Sequence, residues 1–315
     1  MSKTLYIVVP CYNEQEVLPE TSRRLLAKIE SLQQKQKINE QSRILFVDDG
    51  SRDATWSIIS QLTDSSEYFA GVKLSRNKGH QNALLAGLTV AKDRCDAAIS
   101  LDADLQDDID AIDEMVDNFI DGCDIVYGVR SSRKTDTAFK RTTAKGFYRF
   151  MRLLGVDIID DHADYRLMSK RALEALLQFE ESNLFLRGIV PQIGFKSAIV
   201  AYERHERFAG ESKYPLKKML MFAFDGITSF SVKPIRFVTL AGALIFGISM
   251  LAMVILLLQK LMGYTVQGWT TLMGSIWALG GIQLLSLGVI GEYIGKIYQE
   301  TKRRPKFIID KIEIK

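Results

Sequence analysis

From Leu5 to Tyr202, short apolar runs rich in β-branched residues alternate with longer stretches whose apolar positions recur every three or four residues. The runs LYIVV, RILFV, GVKL, AAISL and DIVYG predict strands, because four to eight apolar residues bounded by turn formers fit a strand buried on both faces. Helices are predicted over Val17–Ser31, Thr55–Leu62, Gln81–Lys92, Ile109–Phe119, Thr142–Leu154 and Ala172–Leu177. Strands that alternate with helices need crossover connections, so the predicted class is α/β with a mostly parallel sheet. No internal repeat or low-complexity segment interrupts this pattern.

The pattern changes in the last third. Residues 237–258 form a run of 22 and residues 269–291 a run of 23, and neither contains a charge. As helices at about 1.5 Å per residue each would reach roughly 33 Å, enough to cross a hydrocarbon core of about 30 Å. Two membrane spans are therefore expected. Lys233 and Arg236 precede the first and Lys296, Lys302, Arg303, Arg304 and Lys306 follow the second, which places both termini and the front domain on the cytoplasmic side. Just ahead of them, LKKMLMFAFDGITSF (216–230) reads as a helix lying in the membrane interface. The expected organisation is a front domain over 1–215, an interface helix over 216–232, a two-helix anchor over 233–300 and a basic cytosolic tail over 301–315.

Composition adds exclusions. With 41 basic and 38 acidic residues the net charge is +3, too balanced to indicate nucleic-acid binding. Cys11, Cys95 and Cys123 are odd in number and have no CxxC spacing, so neither a disulfide framework nor a zinc site is indicated. No apolar run of signal-peptide length forms before Pro10, so export of the front domain is not expected.

Four predicted strands end in polar clusters: Pro10-Cys11-Tyr12-Asn13-Glu14, Asp48-Asp49-Gly50-Ser51, Ser75-Arg76-Asn77 and Asp102-Ala103-Asp104. In open α/β sheets ligands bind beyond the carboxyl ends of the strands, so one mouth could gather all four. Asp102 and Asp104, one residue apart on leaving a strand, suit a hard cation, Mg²⁺ or Mn²⁺, with positions left for diphosphate oxygens. Asp49 either accepts hydrogen bonds from a base or ribose or caps the helix that follows. Asp107 and Asp108 either support the metal pair or cap the next helix. The absence of GxGxxG and GxxxxGK[ST] disfavours a dinucleotide oxidoreductase or a P-loop enzyme.

The segments VPCYNE (9–14), VDDGSRD (47–53), LSRNKGHQNALLAG (74–87), SLDADLQDD (100–108), ADYRLMSK (163–170), NLFLRGIVPQIGF (183–195) and AGESKYPL (209–216) resemble family 2 glycosyltransferases. The likeness is to the branch that transfers a sugar to polyprenyl phosphates, and it runs over nearly the whole chain. It implies a nucleotide-binding fold of the family's A type. It also implies a nucleotide-sugar contact set of Pro10, Tyr12, Asn13, Glu14, Asp49, Arg76, His80, Asp102, Ala103 and Gln106, with Asp102 and Asp104 around the metal and Asp164 near the reacting sugar. Asp104 and Asp164 are the expected catalytic pair. A tetramer is implied in the same way. Two departures stand out: Asp108 occupies a place where the family usually has Pro, and Tyr165 one where it has Phe.

A phosphate monoester acceptor has a second pKa of about 6 and is largely dianionic at neutral pH. Asp164 is accordingly expected to act either as a base or as an orienting carboxylate, or else to be salt-bridged to Arg166. Bringing an anionic acceptor to an anionic donor calls for cations. Arg130 and Arg141 lie in a stretch (130–152) with eight basic residues and one acid, and Arg207, Ser212 and Lys213 lie just before the interface segment. These five are the expected lipid-phosphate contacts. The function so read is transfer of one hexose from a nucleotide-sugar, UDP-glucose ahead of UDP-N-acetylglucosamine or GDP-mannose, to undecaprenyl phosphate at the bacterial inner membrane. A processive polysaccharide synthase is disfavoured because the chain has no Arg-Trp pair and only two expected spans. A silent nucleotide-sugar-binding scaffold is disfavoured because Asp102, Asp104 and Asp164 are all present.

Overall fold

The first apolar run becomes β1, Leu5–Cys11, buried at every residue. Such complete burial is what a parallel strand covered on both faces produces. The computed structural model describes residues 2–130, 162–181, 186–203, 233–262 and 268–315. The other predicted runs become β2 (Arg43–Asp48), β3 (Phe69–Leu74), β4 (Ala97–Ser100) and β5 (Ile125–Arg130). Between them lie α1 (Leu18–Gln34), α2 (Thr55–Ser65), α3 (His80–Lys92) and α4 (Ala111–Ile120). The predicted helix over Thr142–Leu154 and the interface helix over 216–232 lie outside the described residues.

Helix α1 shows how locally the sequence acts. Leu18, Leu25, Ile29 and Leu32 fall on one face and are fully buried, each contributing about 1.5–3 kcal/mol by leaving water. Its end is closed without glycine. Gln36 takes a left-handed φ of 57°, and the Lys37 and Gln36 N–H groups donate to the carbonyls of Leu32 and Gln33 at 3.0 and 2.8 Å.

Among the described residues the sheet has eight strands in the order β7-β5-β6-β4-β1-β2-β3-β8, where β6 is His162–Ser169, β7 Ser197–Tyr202 and β8 Ile309–Glu313. The four strands from β3 to β4 run parallel, and β6 and β8 are antiparallel to their neighbours. Strand order reverses beside β1: the chain steps from β1 to β2 and β3 on one side, then returns to place β4 on the other. The crevice beyond the carboxyl ends of β1 and β4 is therefore the place where an open sheet of this kind admits a ligand. On α3, a side chain at Gly87 would put its Cβ 2.4 Å from Val8 and 2.7 Å from Val47, so glycine there lets the helix lie close on β1 and β2.

The sequence pattern does not signal three of the strands. β6 mixes polar and apolar residues, β7 is a six-residue run, SAIVAY, with two alanines and a serine among its few strand formers, and β8 lies in the expected basic tail. That tail assignment is corrected: Ile309–Glu313 pairs with β3 at the sheet edge, and Arg304–Lys315 belongs to the same compact unit as the front domain. Among the described residues this unit also holds the short α5 (Lys170–Leu176) and α6 (Leu186–Ile189), the latter followed by a 3-10 turn over Val190–Ile193. α5 is capped by Ser169, whose Oγ accepts the Ala172 N–H at 3.1 Å.

The second unit holds α7 (Lys233–Leu261) and α8 (Trp269–Thr301), which are helical across both expected spans. Leu240, Leu244, Ile248 and Leu251 on α7 and Leu284, Leu285 and Leu287 on α8 are exposed. Some side chains within the two helices lie outside the described residues. Among the described residues no helix is long and apolar enough to cross a membrane.

Candidate active site

The loops after β1 and β2 are laced together before any ligand is considered. Asn13, at φ 54°, donates its N–H to Ser51 Oγ (3.0 Å) and accepts the Arg52 N–H on its side chain (2.9 Å). The Glu14 N–H donates to Thr55 Oγ1 (2.9 Å), whose own hydroxyl donates to Asp53 Oδ1 (2.6 Å). Pro10 lies within β1 opposite Val47, and Tyr12 is half-buried at the mouth.

Asp49 does not cap α2, whose N-cap position is Ala54; Asp53, just before it, accepts the Thr55 N–H at 3.1 Å. The buried Asp49 carboxylate instead accepts the N–H groups of Lys78 and Gly79, at 2.7 and 2.8 Å, and so fastens the loop after β3 to the end of β2. Burial pushes this carboxyl up, and the two N–H donors partly offset that. Gly50 makes the approach possible. It sits at φ 67°, and a Cβ there would lie 2.6 Å from the backbone of Arg76 and Asn77. Gly50→Ala is expected to lower folding stability by about 2–4 kcal/mol, combining left-handed strain with a backbone clash, as thermal or urea unfolding would show.

The same loop delivers His80 to the mouth. Its Nε2 lies 3.3 Å from Asp102 Oδ1 and 4.0 Å from Asp164 Oδ2. Arg76, expected at the nucleotide, is exposed at the loop's start. After β4, Asp102 is partly exposed, at 41%, while Ala103 is buried with its carbonyl accepting the Thr21 hydroxyl at 2.8 Å. Asp104 Oδ1 accepts the Gln106 N–H at 3.2 Å, and Leu105 between them takes φ 57°, so the turn is tight and left-handed. Enclosure, with Asp107, Asp164 and Asp104 nearby, pushes the Asp102 carboxyl up against the opposing pull of His80. Two carboxylates on one tight turn are hard donors and fit a Mg²⁺ or Mn²⁺ whose remaining positions are open to phosphate and water. Among the described residues no three acidic, histidine or cysteine side chains are grouped to hold a metal ion.

Asp164 arrives from β6, antiparallel to β4, which brings it beside the loop carrying Asp102. It is 8% exposed and held by two guanidinium groups: Arg166 donates to Oδ1 at 2.6 Å, and Arg187 donates to Oδ1 and Oδ2 at 3.3 and 3.1 Å. Burial alone would raise its pKa. Arg187 and Arg166 outweigh burial and hold the carboxyl well below the usual range. Arg166 is buried yet stays charged, as arginine does. The salt bridge to Arg166, left open from sequence as an alternative for Asp164, is therefore present, and Arg187, which the residue pattern did not single out, joins it. Arg187 sits in the NLFLRG segment, but nothing local shows that α6 faces β6.

Asp107 is a buried partner. It accepts the Tyr202 hydroxyl at 2.5 Å and lies 3.6 Å from Arg130, so it does not cap α4. Arg130, expected at a lipid phosphate, is turned onto this carboxylate and is 27% exposed. Asp108 closes a turn by accepting the Asp110 N–H at 2.9 Å, and its carbonyl accepts the Tyr165 hydroxyl at 2.9 Å. The two positions that depart from the family pattern thus touch each other. Arg141, Arg207, Ser212 and Lys213 lie outside the described residues.

The sequence signature described as "Glycosyl transferase family 2" matches residues 6–177. An "Uncharacterized glycosyltransferase YkoT" of Bacillus subtilis (strain 168) is 59% identical over 97% of this chain and 91% of its own length. The "SfII prophage-derived bactoprenol glucosyl transferase" of Shigella flexneri is 39% identical over 97% of both chains. The "Prophage bactoprenol glucosyl transferase homolog" of Escherichia coli (strain K12) is 38% identical over 98% of both. With the strand-end carboxylates in place and likeness along almost the full length, the chain belongs to glycosyl transferase family 2 and is a glycosyltransferase.

Proposed function

We propose that this glycosyltransferase moves a single hexose from a nucleotide-sugar, UDP-glucose first among the donors, to undecaprenyl phosphate on the cytoplasmic face of a bacterial inner membrane. The observation that carries the reading is the convergence of Asp102, Asp104, His80, Asp164 and Arg187 at the crevice where strand order reverses. The lipid acceptor is supported by the relatives named bactoprenol glucosyl transferases, whose likeness extends through the two long helices. A two-span anchor belongs to the proposal on the strength of the 22- and 23-residue uncharged runs of the sequence. The A-type fold and a tetrameric assembly belong to the same proposal, the latter checked by mass measurement in detergent.

Asp102 and Asp104 would hold the divalent cation. When bound, it supplies Lewis-acid stabilisation of the departing diphosphate. His80 braces Asp102 from α3. Asp164, strongly acidic and salt-bridged twice, is a poor proton acceptor, and a dianionic phosphate does not require one. Its work is to orient Arg187, whose side chain is 34% exposed and offers positive charge where two anionic reactants meet. In-line attack by the phosphate oxygen inverts the anomeric carbon, so an α-linked donor gives a β-linked lipid product.

The test is to incubate purified protein with undecaprenyl phosphate and radiolabelled UDP-glucose, UDP-N-acetylglucosamine or GDP-mannose, with and without EDTA. Label is expected in the lipid phase from one donor and is lost with EDTA. Label in a long water-soluble polymer would remove single addition, and a protein monodisperse without detergent would remove the anchor.

A further inference from the structure

Strand β8 is the last regular element of the chain, and only seven residues, 302–308, separate it from the end of α8. It is the edge strand beyond β3, pairing Glu313, Ile312, Lys311 and Ile309 with Gly71, Val72, Lys73 and Leu74. The register shifts between Lys73 and Leu74, leaving Asp310 as the extra residue. Such a bulge bends a strand and re-aims the residues beside it. Here it lies next to the contact in which the Ser75 N–H donates to the Ile308 carbonyl at 3.0 Å.

Ser75 opens the loop that matters most at the mouth. Three residues on, Lys78 and Gly79 donate to Asp49, Arg76 and Asn77 lie over Gly50, and His80 reaches Asp102. The loop is thus fastened on its inner side by Asp49 and at its root by the backbone leading into β8. The far end of β8 is fixed as well: Glu313 accepts hydrogen bonds from Ser60 Oγ (3.3 Å) and Thr63 Oγ1 (3.1 Å) of α2. A strand needed only to shield an edge has no reason to hold the root of that loop.

We propose that β8 is a positioning element for the donor site, holding residues 75–80 so that Asp49 and Asp102 present a preformed pocket to the nucleoside diphosphate. The proposal rests on the reading of this mouth as the donor site. It makes the segment beyond the two long helices part of the machinery for donor affinity.

The experiment compares full-length protein with a chain ending at Lys306, using UDP with Mn²⁺ as the binding probe and amide hydrogen exchange as the structural one. Deletion is expected to weaken UDP binding and raise the donor KM about tenfold, the equivalent of one or two hydrogen bonds, with kcat at saturating donor kept within about twofold. Exchange should speed up at Ser75, Lys78 and Gly79 but not in β1, β2 or β4, and a peptide of residues 307–315 should restore both readouts. A folded deletion with unchanged UDP affinity and unchanged protection of Lys78 and Gly79, or one that loses kcat alone, overturns the proposal. If the deletion does not fold, Glu313→Ala in the full chain decides. It should weaken UDP binding about two- to threefold and loosen the same amides, an effect the size of one lost hydrogen bond, and unchanged protection there overturns the proposal equally. Failure of the full-length protein to bind UDP would sink the donor-site reading instead, while the exchange data would still report on the loop.

Discussion

Replacing Asp164 by Asn is expected to lower kcat by about 10²–10³-fold, the cost of losing one well-placed electrostatic group, while leaving the UDP dissociation constant within about threefold. The reason is geometric. Arg187 donates to both oxygens of Asp164 and Arg166 to one, so the carboxylate fixes two guanidinium groups beside the crevice. An amide in its place can accept on one atom only and carries no charge, which leaves a buried Arg166 uncompensated and Arg187 less firmly held. Removing one partner of a buried ion pair costs about 3–5 kcal/mol, so the variant should also melt earlier. Steady-state kinetics and UDP titration separate the two effects.

The pH dependence distinguishes an orienting carboxylate from a base. Asp164 has a depressed folded pKa, so its stabilisation is fully present above the ordinary carboxylate value of about 3.9 and is lost as pH falls through the lower folded value. The wild type should therefore owe none of its rate loss between pH 5 and 8 to Asp164. The difference in melting temperature between wild type and Asp164→Asn should hold through that range and shrink only below about pH 4. An acidic limb near neutrality that disappears in the Asn variant would identify a base.

The second large effect is expected at the carboxylate pair. Asp102→Asn and Asp104→Asn should each reduce turnover by about 10³-fold or more, since charge stabilisation of the leaving group is the largest single contribution available here. Groups that act as a unit are not additive, so the double variant should fall only slightly below either single one. In the wild type Mn²⁺ should tighten UDP binding, and in both variants that enhancement should vanish. Both residues are partly exposed on a turn rather than in the core, so folding stability should change by less than about 1 kcal/mol. Normal turnover in the double variant would end the metal-assisted reading.

Much of the fold was legible because burial imposes patterns. β1 through β4 hold apolar runs since parallel strands are covered on both faces, and α1, α2 and α4 show buried positions spaced as on one helix face. β6 escaped because an antiparallel strand can carry polar residues, as in HADYRLMS with its buried Arg166 and Asp164, and β7 because SAIVAY is short and holds alanine and serine, which are weak strand formers. β8 escaped because a charged tail pairs through its backbone, and backbone hydrogen bonding leaves little trace in side-chain identity.

Residue order alone was enough to say which chemical groups stand at the strand ends: the carboxylates of DADLQDD, the VDDGS turn and the loop that carries His80. What each of them faces came from the folded arrangement. Packing turned Asp49 onto the Lys78 and Gly79 amides, Arg130 onto Asp107 and Arg187 onto Asp164, and it returned the chain's last residues to the sheet. Separation along the chain explains the difference. A strand end is set by its neighbours in sequence, whereas a contact between residues 23 or more apart depends on how strands are ordered and helices packed, which no local pattern records.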